Sequence, residues 1–221
     1  MTNISDAQLE SRTTPVQQRG QARVDALLDA AAEIVAASGI AAMTTGAIAE
    51  RSGSSVGAVY RYFPNADAVL LALAERNLEL FAARIATVVE TNLPTDWRGF
   101  TAACIDVYAE LATTVPAFRI IRFGDVVAVR FTNRESGNNE IIGRALDDYL
   151  VEHYGFEATE ELLFRTQIAL ECADAVTRRA FLTDRVGEER FIDAAKQLVR
   201  CVLAPLAPDV TTEELASSIE L

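Results

Sequence analysis

The sequence predicts an all-α protein of about nine helices, with an N-terminal three-helix unit containing a helix-turn-helix followed by a larger helical domain. Three observations carry this reading. Apolar residues recur at helical spacing through most of the chain, beginning with a long stripe from Val24 to Val35. Gly39, Pro94, Pro116, Gly155 and Pro205 fall where those stripes stop. The stretch Thr44 to Phe63, TTGAIAERSGSSVGAVYRYF, holds two short helical runs separated by a glycine turn.

Residues 1–17, rich in Ser, Thr, Gln and Asp, read as a flexible arm. From Gln18 to Ser38, Val24, Leu27, Leu28, Ala31, Ile34 and Val35 recur at i, i+3, i+4, i+7, i+10 and i+11, and Gly39 closes that helix as its C′ residue. Thr44 is placed to cap a second helix whose apolar centre is Ala47, Ile48 and Ala49. Gly53 can take the positive φ of a tight turn, and Ser55 can cap a third helix from Val56 to Phe63. Val59 and Phe63, four apart with Val56 beside them, form its packing face.

What remains of that third helix suits a DNA groove. Small Gly57 and Ala58 let the backbone approach base edges, the Ala58 methyl can meet a thymine methyl, and Arg61 can reach guanine or phosphate. Tyr60 and Tyr62 add phenolic donors for phosphate oxygens. An aromatic packing cluster is the plainer alternative for the YRYF run.

A fourth helix from about Ala66 to Val89 carries Val69, Leu70, Leu73, Leu80, Phe81, Ile85 and Val88, long enough to leave the first core and enter a second. Pro94 follows its end, and Thr95 or Asp96 can cap a fifth helix from Trp97 to Thr114. A sixth is expected to start near Ala117 and include Phe118, Ile120, Ile121 and Phe123, before a polar loop over residues 132–139. The seventh runs to Tyr154 and stops at Gly155; the eighth opens at Thr159-Glu160-Glu161, whose acids suit a helix N-terminus, and ends near Leu182. The ninth opens at Gly187-Glu188 and stops at Pro205. Ala169, Ala173, Ala175 and Ala180 permit close helix approach, so the last two helices read as half of a four-helix homodimer interface, with intramolecular packing as the alternative. The divisions expected are therefore 18–65 for the DNA unit, 66–204 for the helical domain and 205–221 for an acidic tail.

The formal charge of −12 argues against a DNA binder until its distribution is considered. Through Asn65 five basic residues (Arg12, Arg19, Arg23, Arg51, Arg61) stand against six acidic ones, leaving fifteen against twenty-six for the rest. The acidity sits mainly away from the DNA-facing segment, so Arg19, Arg23 and Arg61 must carry the attraction. No apolar run approaches membrane-helix length and no leader is evident, which predicts a cytoplasmic protein with no membrane partner. Cys104, Cys172 and Cys201, each among aliphatic residues, read as reduced core thiols. His153 is the only histidine, so neither a metal site nor a serine triad has support, and no glycine loop for nucleotide phosphates occurs. No enzyme and no cofactor are expected.

On these residues the segment from Val24 to Leu73 resembles the DNA-binding domain of the tetracycline-repressor (TetR) family of bacterial transcriptional regulators. The matching features are the first helix ending in Ser38-Gly39, then Met43-Thr44-Thr45, Ile48-Ala49, Gly53, Gly57, Val59-Tyr60-Arg61-Tyr62-Phe63 and a leucine-rich fourth helix. The likeness covers the first third of the chain. Two positions depart from it: Ala66 stands where many relatives carry a phosphate-clamping lysine, and Gly46 where a polar or basic residue is frequent. Each lost phosphate contact flattens the salt dependence of binding by about one unit of slope.

The resemblance implies a homodimeric repressor on a palindromic double-stranded operator, released when a small apolar or amphipathic effector enters among helices four to eight and moves helix four. The candidate DNA contacts are Arg19, Arg23, Thr44, Thr45, Ser54, Ser55, Val56, Gly57, Ala58, Tyr60, Arg61 and Tyr62. Candidate effector contacts, chosen as aromatic or polar groups on apolar helices, are Phe81, Phe100, Tyr108, Phe118, Arg122, Phe123, Phe164, Glu171 and Asp174. With Arg178, the last two could instead form an ion network. A ligand-independent DNA-binding or interaction protein without a sensor pocket is the alternative.

Overall fold

The structure, a computed structural model, describes residues 15–121, 138–182 and 184–208. Among these it is all-helical, with eight α-helices: α1 (Pro15–Ser38), α2 (Thr45–Arg51), α3 (Val56–Tyr62), α4 (Ala66–Asn92), α5 (Trp97–Thr114), α6 (Asn138–Tyr154), α7 (Glu160–Ala180) and α8 (Glu189–Leu203). Short 3-10 turns follow α1 and α8, at Ile40–Ala42 and Ala204–Leu206.

Local chemistry sets most of these boundaries. The side chains of Asn65, Asp96 and Thr159 accept from the backbone N–H groups of Ala68 (2.8 Å), Gly99 (2.7 Å) and Leu162 (3.1 Å), capping α4, α5 and α7. Each such cap is worth about 1 kcal/mol. Helix α1 begins at Pro15, earlier than the apolar stripe suggests, because a proline in the first turn has no N–H to leave unpaired.

The helices pack around two apolar cores. One joins Leu27, Leu28 and Val35 of α1 with Ile48 of α2, Val59 of α3, and Val69, Leu73 and Ala74 of α4. The other joins Trp97, Phe100 and Leu111 of α5 with Leu150 of α6, Leu162 and Ala169 of α7, and Val199 and Leu203 of α8. Trp97 meets Phe156 edge-on at 5.7 Å. Helix α4, 27 residues and so about 40 Å long, belongs to both, with its first half in one core and Ile85 in the other. Between those halves lies Asn77, buried, its side-chain amide nitrogen without a partner. An unmet donor of this kind costs about 1–3 kcal/mol.

Exposed ion pairs link the elements: Arg51 to Glu33 (3.1 Å), Arg76 to Asp29 (2.7 Å) and Arg84 to Glu110 (2.6 Å). Their contribution is small, about 0–1 kcal/mol each.

The expected helix start at Ala117 is not observed. Residues 115–121 form turns, with Val115 extended before Pro116 and Ala117 in the left-handed region at φ 63°. The ring of Pro116 disfavours helical backbone at Val115, and the left-handed backbone of Ala117 is itself not that of a right-handed helix. No helix of the described residues is long and apolar enough to cross a membrane.

Candidate DNA interface and sensor core

The α2–turn–α3 unit is fixed by its own polar groups. Thr44 Oγ1 accepts from the Ala47 N–H at 3.1 Å and Ser55 Oγ from the Ala58 N–H at 3.2 Å, so both short helices are capped as their sequences require. Gly53 turns at φ 64°, which lets the Ser54 N–H donate to the Ala49 carbonyl at 2.8 Å. Ser52 Oγ donates to Ser54 Oγ at 2.8 Å and braces the turn. Thr45 Oγ1 donates to the Tyr60 hydroxyl at 3.3 Å, joining the start of α2 to the outer face of α3.

Helix α3 has one buried and one open side. Val59 and Phe63 point into the core, at 0% and 7% exposure, whereas Val56 and Tyr60 are 44% and 54% exposed. Val56 therefore does not join the packing face as its proximity to Val59 suggested. Three positions along a helix carry a side chain 300° round, here enough to reach solvent. Gly57 and Arg61 share that open side, and a Cβ at Gly57 would meet nothing within 4 Å. Ala58 and Tyr62 are half-buried, and Tyr62 packs against the core of the unit.

Thr44 and Ser55 are exposed and Thr45 and Ser54 half-buried, at the N-terminal ends of α2 and α3. Arg19 and Arg23 are exposed one turn apart near the start of α1. Gly46 is exposed and Ala66 occupies the first turn of α4 behind the Asn65 cap.

The predicted effector contacts are brought together only in part. Phe100 is buried and lines a cavity of about 50 Å³ with Cys104 of α5, Leu146 of α6, Thr166 and Ala169 of α7 and Val199 of α8. Pockets for drug-sized ligands hold about 300–1,000 Å³. Tyr108 and Phe118 pack edge to face at 5.6 Å, and Phe81 packs against the same core. Phe164 is 57% exposed and Glu171 is exposed, both on the side of α7 away from the cavity; Asp174 is half-buried. Arg122 and Phe123 lie outside the described residues.

The polar groups in the cavity wall are turned away from it. Thr166 Oγ1 donates to Asp147 Oδ1 at 2.5 Å and Thr101 Oγ1 to the Arg98 carbonyl at 3.2 Å. Burial lifts the Asp147 carboxyl above its usual range even though the Thr166 bond favours its charged form. Burial likewise pushes the Cys104 thiol up to about 12, so it stays protonated and unreactive. Cys172 is half-buried and Cys201 exposed on α8, so the expectation of three core thiols holds for Cys104 alone. All three are free. His153 is exposed in the last turn of α6, stacked on Tyr149.

The outer side of α7 carries an apolar stripe that residue size did not reveal. Phe164, Ile168 and Ala175, at i, i+4 and i+11, are exposed there beside the charged Glu171 and Arg178, and Leu182, just past the helix, and Leu198 of α8 are exposed too. Ala169 and Ala180, the small residues expected at an interface, are instead buried in the chain's own core, and Ala173 lines the cavity. Alanines signal close packing without saying on which face it occurs.

A capped helix-turn-helix with an open groove-sized face, set on a second helical core by a shared long helix, defines a DNA-binding regulator. The family model for bacterial regulatory proteins of the tetR family matches residues 27–73, and that for the tetracyclin repressor-like C-terminal domain matches residues 95–207, more than half of the chain. The chain belongs to the tetR family of transcriptional regulators, whose members are DNA-binding proteins and not enzymes.

Among solved structures, a TetR-family transcriptional regulator from Streptomyces coelicolor is similar over 83% of this chain and 99% of its own, with 29% identity and a TM-score of 0.71. The fatty acid degradation regulator FadR from Bacillus halodurans is similar over 80% of this chain and 94% of its own, with 18% identity and a TM-score of 0.59. SmeT, the repressor of the Stenotrophomonas maltophilia multidrug efflux pump SmeDEF, is similar over 84% and 91%, with 16% identity and a TM-score of 0.58. The last two likenesses are of fold. No curated protein matches the chain by sequence.

Proposed function

We propose that this protein is a homodimeric repressor that reads a palindromic operator with α3 and leaves it when a small apolar or amphipathic effector occupies its helical core. The observation that carries the DNA-reading half is the open face of α3. Val56, Gly57, Tyr60 and Arg61 face outward while Val59 and Phe63 hold the helix rigidly from behind. Residues 18–65 supply the reading head, with Arg19 and Arg23 placed for phosphates, and 66–204 the sensing and dimerising part. Symmetry through α7 and α8 pairs two heads on successive turns of a major groove, about 34 Å apart.

Effector and DNA act in opposition. An effector that fits the spread arrangement better than the close one weakens operator binding by the same factor that DNA weakens effector binding. The apolar walls of the core, with their hydroxyls bonded elsewhere, favour an uncharged apolar effector. The small volume of that cavity, about 50 Å³, favours a second reading, a ligand-independent regulator with a filled core.

Purified protein titrated against duplexes from its own upstream region at two salt concentrations tests the proposal. Arg61→Ala with Tyr60→Ala is the control, because Tyr60 is exposed and Tyr62 is part of the core. One duplex binds, and the double variant loses about 10- to 100-fold in affinity at unchanged thermal stability. If neither protein binds any duplex at low salt, the DNA-reading proposal fails.

A further inference from the structure

We infer that Val56 reads thymine: its methyl groups meet the C5 methyl of one thymine in each half of the operator, so that this position distinguishes thymine from cytosine and uracil; this rests on α3 as the DNA-reading helix. Val56 is the first residue of α3 and is 44% exposed. Tyr60, one turn on, does not cover it. The Tyr60 hydroxyl accepts from Thr45 Oγ1 at 3.3 Å, which ties that ring to α2 and leaves the valine bare.

An apolar side chain in that place has one group to recognise. Val56, Gly57, Ala58 and Val59 carry no side-chain donor or acceptor, so this end of α3 cannot read bases by side-chain hydrogen bonds. The major groove shows donors and acceptors on every base pair and a single apolar group, the thymine methyl. Ala58, the candidate for this contact by residue type, is half-buried and turned about 200° round the helix from Val56. Gly57 lies beside Val56 with open space around it, since a Cβ there would meet nothing within 4 Å. Without that Cβ the backbone can come close enough for a side chain as short as valine to reach a base.

The contact differs in kind from that of Arg61, which is exposed on the other flank of the open face, about 140° round the helix. Burying methyl against methyl releases no counterion. The share of affinity that Val56 supplies is therefore the same at low and high salt, whereas a phosphate contact by Arg61 weakens as salt rises.

The test uses the full chain and the duplex it binds, with each thymine replaced in turn by deoxyuridine, symmetrically in both half-sites, so that only the methyl is lost and base pairing is kept. At one position wild type loses about fourfold in affinity per half-site, roughly fifteenfold for the pair, at both low and high salt. Val56→Ala binds the unmodified duplex more weakly by a similar factor, at unchanged thermal stability because Val56 is exposed, and is indifferent to deoxyuridine there. With a cytosine placed at that position, wild type binds the 5-methylcytosine duplex about tenfold tighter than the cytosine duplex, and Val56→Ala does not. If wild type responds at no thymine, or Val56→Ala keeps the same thymine preference, the inference is overturned while DNA reading by α3 stands. If wild type binds no duplex at all, the DNA-reading proposal falls and the inference falls with it.

Discussion

Phe164→Glu with Ile168→Glu yields a folded monomer whose operator affinity is lower by about 10²–10⁴-fold, the advantage that linking two binding heads confers. Both side chains are well exposed, at 57% and 37%, so the substitutions remove nothing from the chain's own core. They lie on the outer side of α7 with Ala175, and Leu182 just past that helix and Leu198 of α8 are exposed as well, apolar side chains of a kind that marks interfaces. In a two-fold dimer each glutamate is buried against the same face of its partner, and four carboxylates meet there. Sedimentation gives the mass and circular dichroism the fold. A variant that stays dimeric with unchanged affinity places the interface elsewhere.

Val59→Asp abolishes operator binding by unfolding the head. Val59 has no exposed surface and sits where α3 meets the core of α1, α2 and α4. A carboxylate there finds no cation among its apolar neighbours, so the cost is about 4 kcal/mol or more, enough to exhaust the stability of a small helical unit. Trp97, in the other core, keeps its native emission at temperatures where the head's helical signal is lost. Simultaneous loss of both signals would show that the two cores melt as one.

What the sequence showed plainly was local. Thr44, Ser55, Asp96 and Thr159 cap the helices their positions imply because capping is decided within three residues. Gly53 makes the inter-helix turn, and the all-helical fold with its helix-turn-helix follows from the 3.6-residue spacing of the apolar stripes. What stayed hidden depends on which way a face points or on contacts distant in sequence. Phe118, Ile120 and Ile121 have helical spacing, yet a left-handed Ala117 divides them between two cores. Phe164 suits a pocket by its chemistry but lies opposite the core side of α7, and Ala169 and Ala180 suit an interface but face inward. Val56 and Val59 are equally apolar; only packing shows that the first is open to a groove.

The most direct measurement is a hydroxyl-radical footprint of the dimer on the duplex it binds. Two symmetric protected stretches about 10–10.5 base pairs apart, or a multiple of that, are the expected result for a pair of α3 helices in successive major grooves. The protection should disappear with Arg61→Ala and Tyr60→Ala. A single asymmetric stretch, or protection unchanged in that variant, would contradict the reading of DNA by α3.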